Sequence, residues 1–444
     1  MKLIHTADWH LGRSLHHVSL LEDQAWVLER FLALVRDEQP DAVLVAGDVY
    51  DRAVPPAEAV ALLDHILEEL TLDQEVPVVL IVGDHDDPER LGFARRLLSG
   101  RRLHVSGRVG KPAPVRLRDA HGTVQVWPLP FATPDAVRAA LGVEVRTRDE
   151  ALGALLDRVR AGIRGRAVVV AHADVAGGTG SGERPWTGGE AERIAPGRFA
   201  GFAYAALGHL HRAQDVTGTR ARFSGSPFPL SFEEAADPKT VSVVDIAEDG
   251  GVTVRPVALG RKRNLRHVSG TLAELLAARE PMGSSPAGRS TSGEPPAAAQ
   301  TLDPEARGRA AGQSADPEAR GLASGQPADP EGGGREAAGA DDWLDVTLLD
   351  SHPARDAVAR LRELFPNVIR VRRAGEAVAE GVAPRVGGPS DAAGRGGVSA
   401  DPETATDEAL FAAFFERAVG APLTPEESAE AAEAMRAAAA REVS

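Results

Sequence analysis

At 444 residues with 43% apolar side chains and a formal net charge of -15 at pH 7, the chain can form two or three domains with cores of their own, and no apolar run approaches the roughly 18 residues of a membrane span. The absence of cysteine excludes disulfides, thiolate ligands and a Cys nucleophile, and fits a reducing cytoplasm. The acidic balance disfavours a phosphate-rich partner, yet residues 1–270 hold 36 acidic and 33 basic side chains, so -12 of the total falls in residues 271–444.

Met1 leads straight into the strand-like run Lys2–Ala7, with no charged and apolar leader, so secretion is not expected. Further β-like runs follow at Ala42–Ala46, Val78–Val82, Ala167–Ala171 and Ala203–Leu207, alternating with helical patterns such as Leu21–Arg36 and Pro56–Leu70. That alternation predicts an α/β domain with buried strands over residues 1–270. Arg255, Arg261, Lys262, Arg263 and Arg266 close it, either as a phosphate-contacting rim or as a solvated loop. A segment over 281–341 with "DPEARG" repeated at 303–308 and 316–321 reads as a low-complexity disordered insert. Trp343–Asp350, a helical stretch through Leu364 and the strand-like "NVIRVRR" predict a small α/β domain over 271–373, interrupted by that insert. A linker at 374–402 and a C-terminal helical region at 403–444, with "EALFAAFFERAVG", complete the chain.

The chemistry gathers at strand ends. "TADWHLG" places Asp8 and His10 at i, i+2; "VLVAGDVYDR" places Asp48 and Asp51; "LIVGDHD" places Asp84 and His85; "VVVAHAD" places His172; "AALGHLHRAQ" places His209 and His211. The carboxyl ends of neighbouring strands in an open α/β sheet converge on one crevice, so these side chains can meet. Oxygen and imidazole donors without sulfur suit Mn²⁺, Fe²⁺ or Zn²⁺ in an open catalytic site. Seven candidates, Asp8, His10, Asp48, Asp84, His172, His209 and His211, fit two ions bridged by a carboxylate and acting on phosphorus. His85 is left to serve the reaction. Asp51 is equally consistent with a helix cap or turn. His5, His16, His17, His65, His104, His121, His267 and His352 lack this context and are expected to be structural or at the surface.

The ordered set "DWH", "GDVYDR", "GDHD", "AH" and "GHLH" resembles the calcineurin-like metallophosphoesterases, a sandwich of β-sheets flanked by helices. "HTADWHLGR", "DHDDPERLGFA", "YAALGHLHRAQ" and "FSGSPFPLSFEEA" are similar, more narrowly, to the SbcD nuclease subunits of bacterial SbcCD complexes. The resemblance covers 1–270 and resumes at 343–373 and 407–435. It implies one metal held by Asp8, His10, Asp48 and His211, and a second by Asp48, Asp84, His172 and His209, both expected to be Mn²⁺. It further implies His85 as proton donor or transition-state stabiliser, oriented by Asp51. Such proteins hydrolyse DNA as an ATP-dependent 3'-5' double-strand exonuclease and as a single-strand or hairpin endonuclease in repair and recombination. The ATPase belongs to an SbcC-type partner, since this chain has no Gly-rich GK[ST] loop. By the same likeness, residues 271–373 cap DNA, the C-terminal helices dock on the ATPase, and helices after the first two motifs form a homodimer within a heterotetramer.

Two positions depart from the pattern. Asp84 stands where the family has Asn, and Asp87 where it commonly has Ser. A carboxylate at 84 ligates but adds negative charge beside an anionic substrate and donates no hydrogen bond, so weakened turnover is expected; a harmless replacement compensated nearby is the other reading. A small-molecule phosphodiesterase or phosphatase, and a DNA-end-binding scaffold made weakly catalytic by Asp84, are the alternative functions.

Overall fold

The computed structural model describes residues 1–180, 193–277, 341–350 and 356–374 together with Ser428. The expected insert (281–341), linker (374–402) and C-terminal helical region (403–444) therefore lie outside the described residues except for Asp341, Ala374 and Ser428, as does His352. No described helix is long and apolar enough to cross a membrane.

Two six-stranded sheets face each other. The first runs, in spatial order, Val252–Ala258, Thr240–Ile246, Lys2–Thr6, Ala42–Ala46, Val78–Ile81 and Leu103–Ser106. Its last four strands are parallel and its first two antiparallel. The second runs Gln214–Asp215, Ala221–Phe223, Tyr204–Gly208, Arg166–His172, Gly122–Leu129 and Val115–Asp119, with its four middle strands parallel and an antiparallel strand at each edge.

Why the runs are almost continuously apolar follows from the layering. Alternate side chains of a strand point to opposite faces, and here both faces are covered. Leu3, Leu44, Val79 and Ile81 point between the sheets and meet Val126, Val168, Val170 and Ala206. Their neighbours Ile4, Val43, Val45, Val78 and Leu80 pack outward with Val27, Leu28, Phe31, Leu63 and Ile66 of the helices Leu21–Glu38 and Ala57–Glu68. Trp127, Val169 and Leu207 do the same beneath Pro134–Leu141 and Arg148–Gly162. The result is the expected helix, sheet, sheet, helix sandwich. Both parallel sets end on the same side, which is where the donors were expected.

A third, all-parallel sheet joins Leu265–Gly270, Trp343–Leu348 and Val368–Arg373. It takes its first strand from before the expected boundary at 270. Leu344, Val346 and Leu348 pack beneath Leu272, Leu275, Leu361 and Phe365, while Leu265 and Ile369 join Leu15, Leu20 and Phe232 of the large sandwich. The basic cluster at this junction is neither a free phosphate rim nor a solvated loop. Arg255 pairs with Glu38 at 2.5 Å, Lys262 with Glu22, and Arg263 with Glu22 and Asp23, both at 2.8 Å. Arg266 pairs with Asp342 at 2.7 Å, and Arg261 donates to the carbonyls of Ala235 and Asp237. Lys262 and Arg263 tie the segment entering the small sheet to the first long helix, Arg266 holds Asp342, Arg255 ties the edge of the first sheet to that helix, and Arg261 holds the turn at 235–237.

His5 lies fully buried between the sheets, its Nδ1 2.9 Å from the Tyr204 hydroxyl. Burial, with help from the Arg222 charge, lowers its pKa to about 3, so it folds neutral. Because the unfolded chain takes up a proton near pH 6.5, the stability linked to His5 is complete above that pH and is lost as pH falls towards 3. The loss should reach about 1.4 kcal/mol per pH unit. Urea unfolding of wild type and His5→Leu between pH 6.5 and 5 checks this: the variant should show the shallower decline with acid.

Candidate metal centre

The donors come from loops that fold back on the strand ends. Asp8, His10 and Asp48 adopt φ of 56°, 42° and 49°, and His209 one of 107°. Such backbone costs on the order of 1–3 kcal/mol per non-glycine residue and persists only where the surroundings enforce it. Here Asp8 N donates to Gly47 O at 3.0 Å, His10 N to Asp48 O at 2.9 Å and Leu11 N to Val49 O at 2.9 Å. Buried Gln24 adds a clamp from the first long helix: its Nε2 donates to His10 O at 2.8 Å and its Oε1 accepts from Gly12 N at 3.0 Å. Two glycines at the strand ends are needed for close approach. A Cβ on Gly83 would lie 2.1 Å from Asp48 Oδ1, and one on Gly208 would lie 2.0 Å from Ala46 O.

All seven expected donors meet. Asp8, His10 and His211 offer atoms within 4.8 Å of one another, as do Asp84, His172 and His209, and Asp48 joins Asp8 and His172 between them. Asp48 Oδ2 is 3.4 Å from His10 Nε2 and 3.5 Å from His172 Nε2. His172 Nδ1 is 2.8 Å from Ala46 O, to which it donates, which turns the Nε2 lone pair inward; Asp84 Oδ1 lies 2.8 Å from that Nε2 and 3.2 Å from His209 Nδ1.

Two features fit a cation in particular. Asp8 Oδ1 accepts from His209 N at 2.9 Å, whereas buried Oδ2 has no hydrogen-bond partner. His10 Nε2 and His211 Nε2 face each other at 3.2 Å. An orphaned carboxylate oxygen and two nitrogens aimed at one point are unfavourable by themselves and are satisfied together by a divalent ion. The electrostatics agree. Burial lifts Asp8 to about 7, with Asp48 adding to the rise and His172 opposing it. Burial also pushes Asp48 and Asp84 up, but the His172 imidazole beside both, with His10 near Asp48 and His209 near Asp84, holds them below the ordinary carboxylate range. Against its own burial, His172 is driven well above the usual imidazole value by Asp48 and Asp84.

His85 sits beside this group, its ring 4.6 Å from that of His10, with its backbone N donating to Asp48 Oδ1 at 3.0 Å. The expected orienting contact from Asp51 exists in a different form. The backbone carbonyl of Asp51 takes the His85 Nδ1 hydrogen bond at 2.9 Å, while its carboxylate is 3.1 Å from Arg13 Nη1 and 3.6 Å from His10 Nδ1. The carboxylate still lies within 4.8 Å of ring nitrogens of both His10 and His85, so it adds charge beside His85 without taking that hydrogen bond. The remaining acids of "GDHDD" are structural. Asp86 is buried and accepts from Val49 N, Tyr50 N and Gly83 N at 3.1, 2.8 and 3.0 Å, stapling two loops; burial and nearby Asp48 push it up to about 6. Asp87 caps the short helix Pro88–Leu91 by accepting from Glu89 N and Arg90 N.

A calcineurin-like phosphoesterase family model matches residues 1–213. A second model, SbcD_C, described as the type 5 capsule protein repressor C-terminal domain, matches residues 322–418. The SbcD subunit of the SbcCD nuclease of Staphylococcus epidermidis is 33% identical over 284 residues, 63% of this chain and 75% of that one. Its counterpart from Staphylococcus saprophyticus is 33% identical over 283 residues, 62% of this chain and 73% of that one. The chain belongs to the SbcD family. Membership implies a metallophosphoesterase, a hydrolase whose chemistry uses divalent metal ions.

Within this SbcD-family site, motif reading missed the support behind His211. Glu234 is fully buried and places Oε1 3.0 Å from His211 Nδ1. Lys239, also buried, donates to Glu234 Oε2 at 2.5 Å, to Ser226 Oγ at 2.9 Å and to the carbonyl of His211 at 3.1 Å. Burial raises Glu234, but His211 and Lys239 outweigh it and hold the acid down at about 2. The charged acid fixes a proton on His211 Nδ1 and turns Nε2 towards His10. Glu234 lies in "FSGSPFPLSFEEA", a stretch noted above for its likeness to SbcD subunits but given no role there. Glu234→Gln should weaken divalent-ion affinity roughly 10- to 100-fold without unfolding the chain; titration calorimetry with Mn²⁺ checks this, and unchanged affinity would remove Glu234 from the site's support.

Proposed function

We propose that this chain is the nuclease subunit of an SbcCD-type complex and hydrolyses DNA phosphodiesters at a two-metal centre. The observation that carries the reading is Asp48, lying between an Asp8, His10, His211 group and an Asp84, His172, His209 group, on a chain related to proteins named as nuclease subunits. Asp8, His10, Asp48 and His211 would hold one ion, and Asp48, Asp84, His172 and His209 the other, with Mn²⁺ favoured by the mixed oxygen and imidazole set. A bound pair supplies an activated water and charge stabilisation for in-line displacement at phosphorus.

The chain's own work is positioning and proton transfer. Burial alone would lower the His85 pKa, but Asp48 and the hydrogen bond to the Asp51 carbonyl prevail and raise it. The ring donates from Nδ1 to Asp51 O, and in its protonated form it offers Nε2–H to the leaving oxygen. The Asp51 carboxylate acts on the His10 side of the site together with Arg13. An SbcC-type ATPase and DNA are the proposed partners. A homodimer is supported by exposed apolar side chains after the second and third strand ends, Val54, Val60, Phe93 and Leu97, of which Val60 and Phe93 line one groove. Single-strand and hairpin endonuclease action and 3'-5' exonuclease action are the proposed activities.

Asp84 bears on rate. Its carboxylate lies 2.8 Å from His172 Nε2 and 3.2 Å from His209 Nδ1 and places charge where a phosphate would approach. Wild type with Mn²⁺, the partner ATPase and ATP should cleave linear and hairpin DNA in preference to small phosphate esters. Asp84→Asn should cleave DNA faster under the same conditions. A variant equal to or slower than wild type would refute the inhibitory role of Asp84, and preference for the small esters would refute the nuclease assignment.

A further inference from the structure

The residues from Arg90 to Arg118 contain nine Lys or Arg and no Asp or Glu, in a chain whose net charge is -15. This is a sharper segregation of charge than the cluster after Arg255, whose members are engaged in ion pairs. All nine side chains are exposed. Among the described residues, Arg102 pairs with Glu75 at 3.3 Å and Arg108 with Glu89; the side chains of Arg90, Arg95, Arg96, Arg101, Lys111, Arg116 and Arg118 make no ion pair there.

The fold places most of them along one edge of the sandwich. Leu103–Ser106 is the last strand of the first sheet, and Val115–Asp119 is the last strand of the second. Ser106 Oγ donates to Pro128 O at 3.2 Å across the two sheets, so both edges lie on the same side. Leu117 is buried between the sheets, which turns Arg116 and Arg118, two residues apart on one strand face, outward. Between the strands, Arg95, Ser99, His104, Arg108 and Lys111 line an open cleft of about 310 Å³. This edge is continuous with the metal centre. Ser106 O accepts from Val82 N, two residues before Asp84, and Gly92 and Gly107 approach the carbonyl of Pro88 just beyond Asp87.

We propose that this edge is a phosphate-backbone track for nucleic acid, carrying the strand away from the metal centre on the side of Arg108 and Lys111. The proposal rests on the nuclease reading and names where its polyanion is held. Exposed guanidinium and ammonium groups, seven of the nine without an ion pair among the described residues, match the charge of a phosphodiester backbone and carry no base-reading geometry. They also ease the conflict between an acidic chain and an anionic substrate, because a stretch without any acid gathers exposed positive charge along this edge. A competing role for cations on exposed strands is to block edge-to-edge aggregation. Glutamates serve that role equally well, whereas they repel DNA.

The test is the full chain carrying Lys111→Glu, Arg116→Glu and Arg118→Glu, with Lys111→Gln, Arg116→Gln and Arg118→Gln as a milder companion. Binding of a fluorescent duplex is read by anisotropy over a salt series, and hydrolysis of bis(p-nitrophenyl) phosphate with Mn²⁺ reports the metal centre alone. Expected are a loss of about tenfold or more in DNA affinity for the glutamate variant and a salt dependence shallower by about 3 in log–log slope. Ester hydrolysis should be unchanged, and the glutamine variant should fall between. Wild-type affinity and slope in both variants would overturn the track and leave the charges to edge protection or an acidic protein. Failure of wild type to bind DNA at all would overturn both the track and the nuclease reading, while tight wild-type binding with insensitive variants would overturn the track alone.

Discussion

The structure depends on concentrating acids and imidazoles in a largely buried seam where two sheets meet. Asp8 and Asp48 are buried with oxygens within 4.8 Å of each other, and buried Asp86 feels the charge of Asp48; in low dielectric such carboxylates repel and resist ionisation. Everything around them answers that repulsion. His172 and His10 stand against Asp48, backbone N–H groups surround Asp86, and the oxygen of Asp8 left without a donor points into the group of ligand-type side chains. The left-handed backbone at Asp8, His10 and Asp48 is a further consequence, because a relaxed strand end would carry these side chains past one another.

Much of this was legible in the sequence. Continuous apolar runs ending in Asp or His identify buried parallel strands, and each strand read in that way exists to within a residue or so at its ends. The seven expected donors converge because parallel strands finish on one side, a matter of topology rather than of any single motif. What stayed hidden depends on where a polar atom points. "GDHDD" contains three acids of the same type, yet one faces the site, one staples loops and one caps a helix, and only tertiary geometry separates them. Asp51 was correctly placed beside His85, but which of its oxygens faces the ring is set by a local turn. Glu234 and Lys239 were invisible because a buried ion pair five residues apart looks in sequence like two ordinary surface charges.

Charge behaved similarly. The basic residues after Arg255 stood out as a dense cluster, but they face Glu22, Asp23, Glu38 and Asp342 and are neutralised there. The longer and sparser basic segment over 90–118 drew no notice as a motif, and its side chains remain open to solvent. Density along a chain is a poor guide to free charge, because the partners of a cation come from wherever the fold brings acids.

The first turn of the helix Leu21–Glu38 joins two tasks in three consecutive residues. Glu22 and Asp23 grip Lys262 and Arg263 beside the small sheet, and Gln24 holds the backbone of His10 and Gly12. The anchorage of the outer sheet and the aim of a principal imidazole thus sit in series on one rigid rod. A load applied to the small sheet reaches His10 through a single peptide unit, with no flexible joint between them to absorb it.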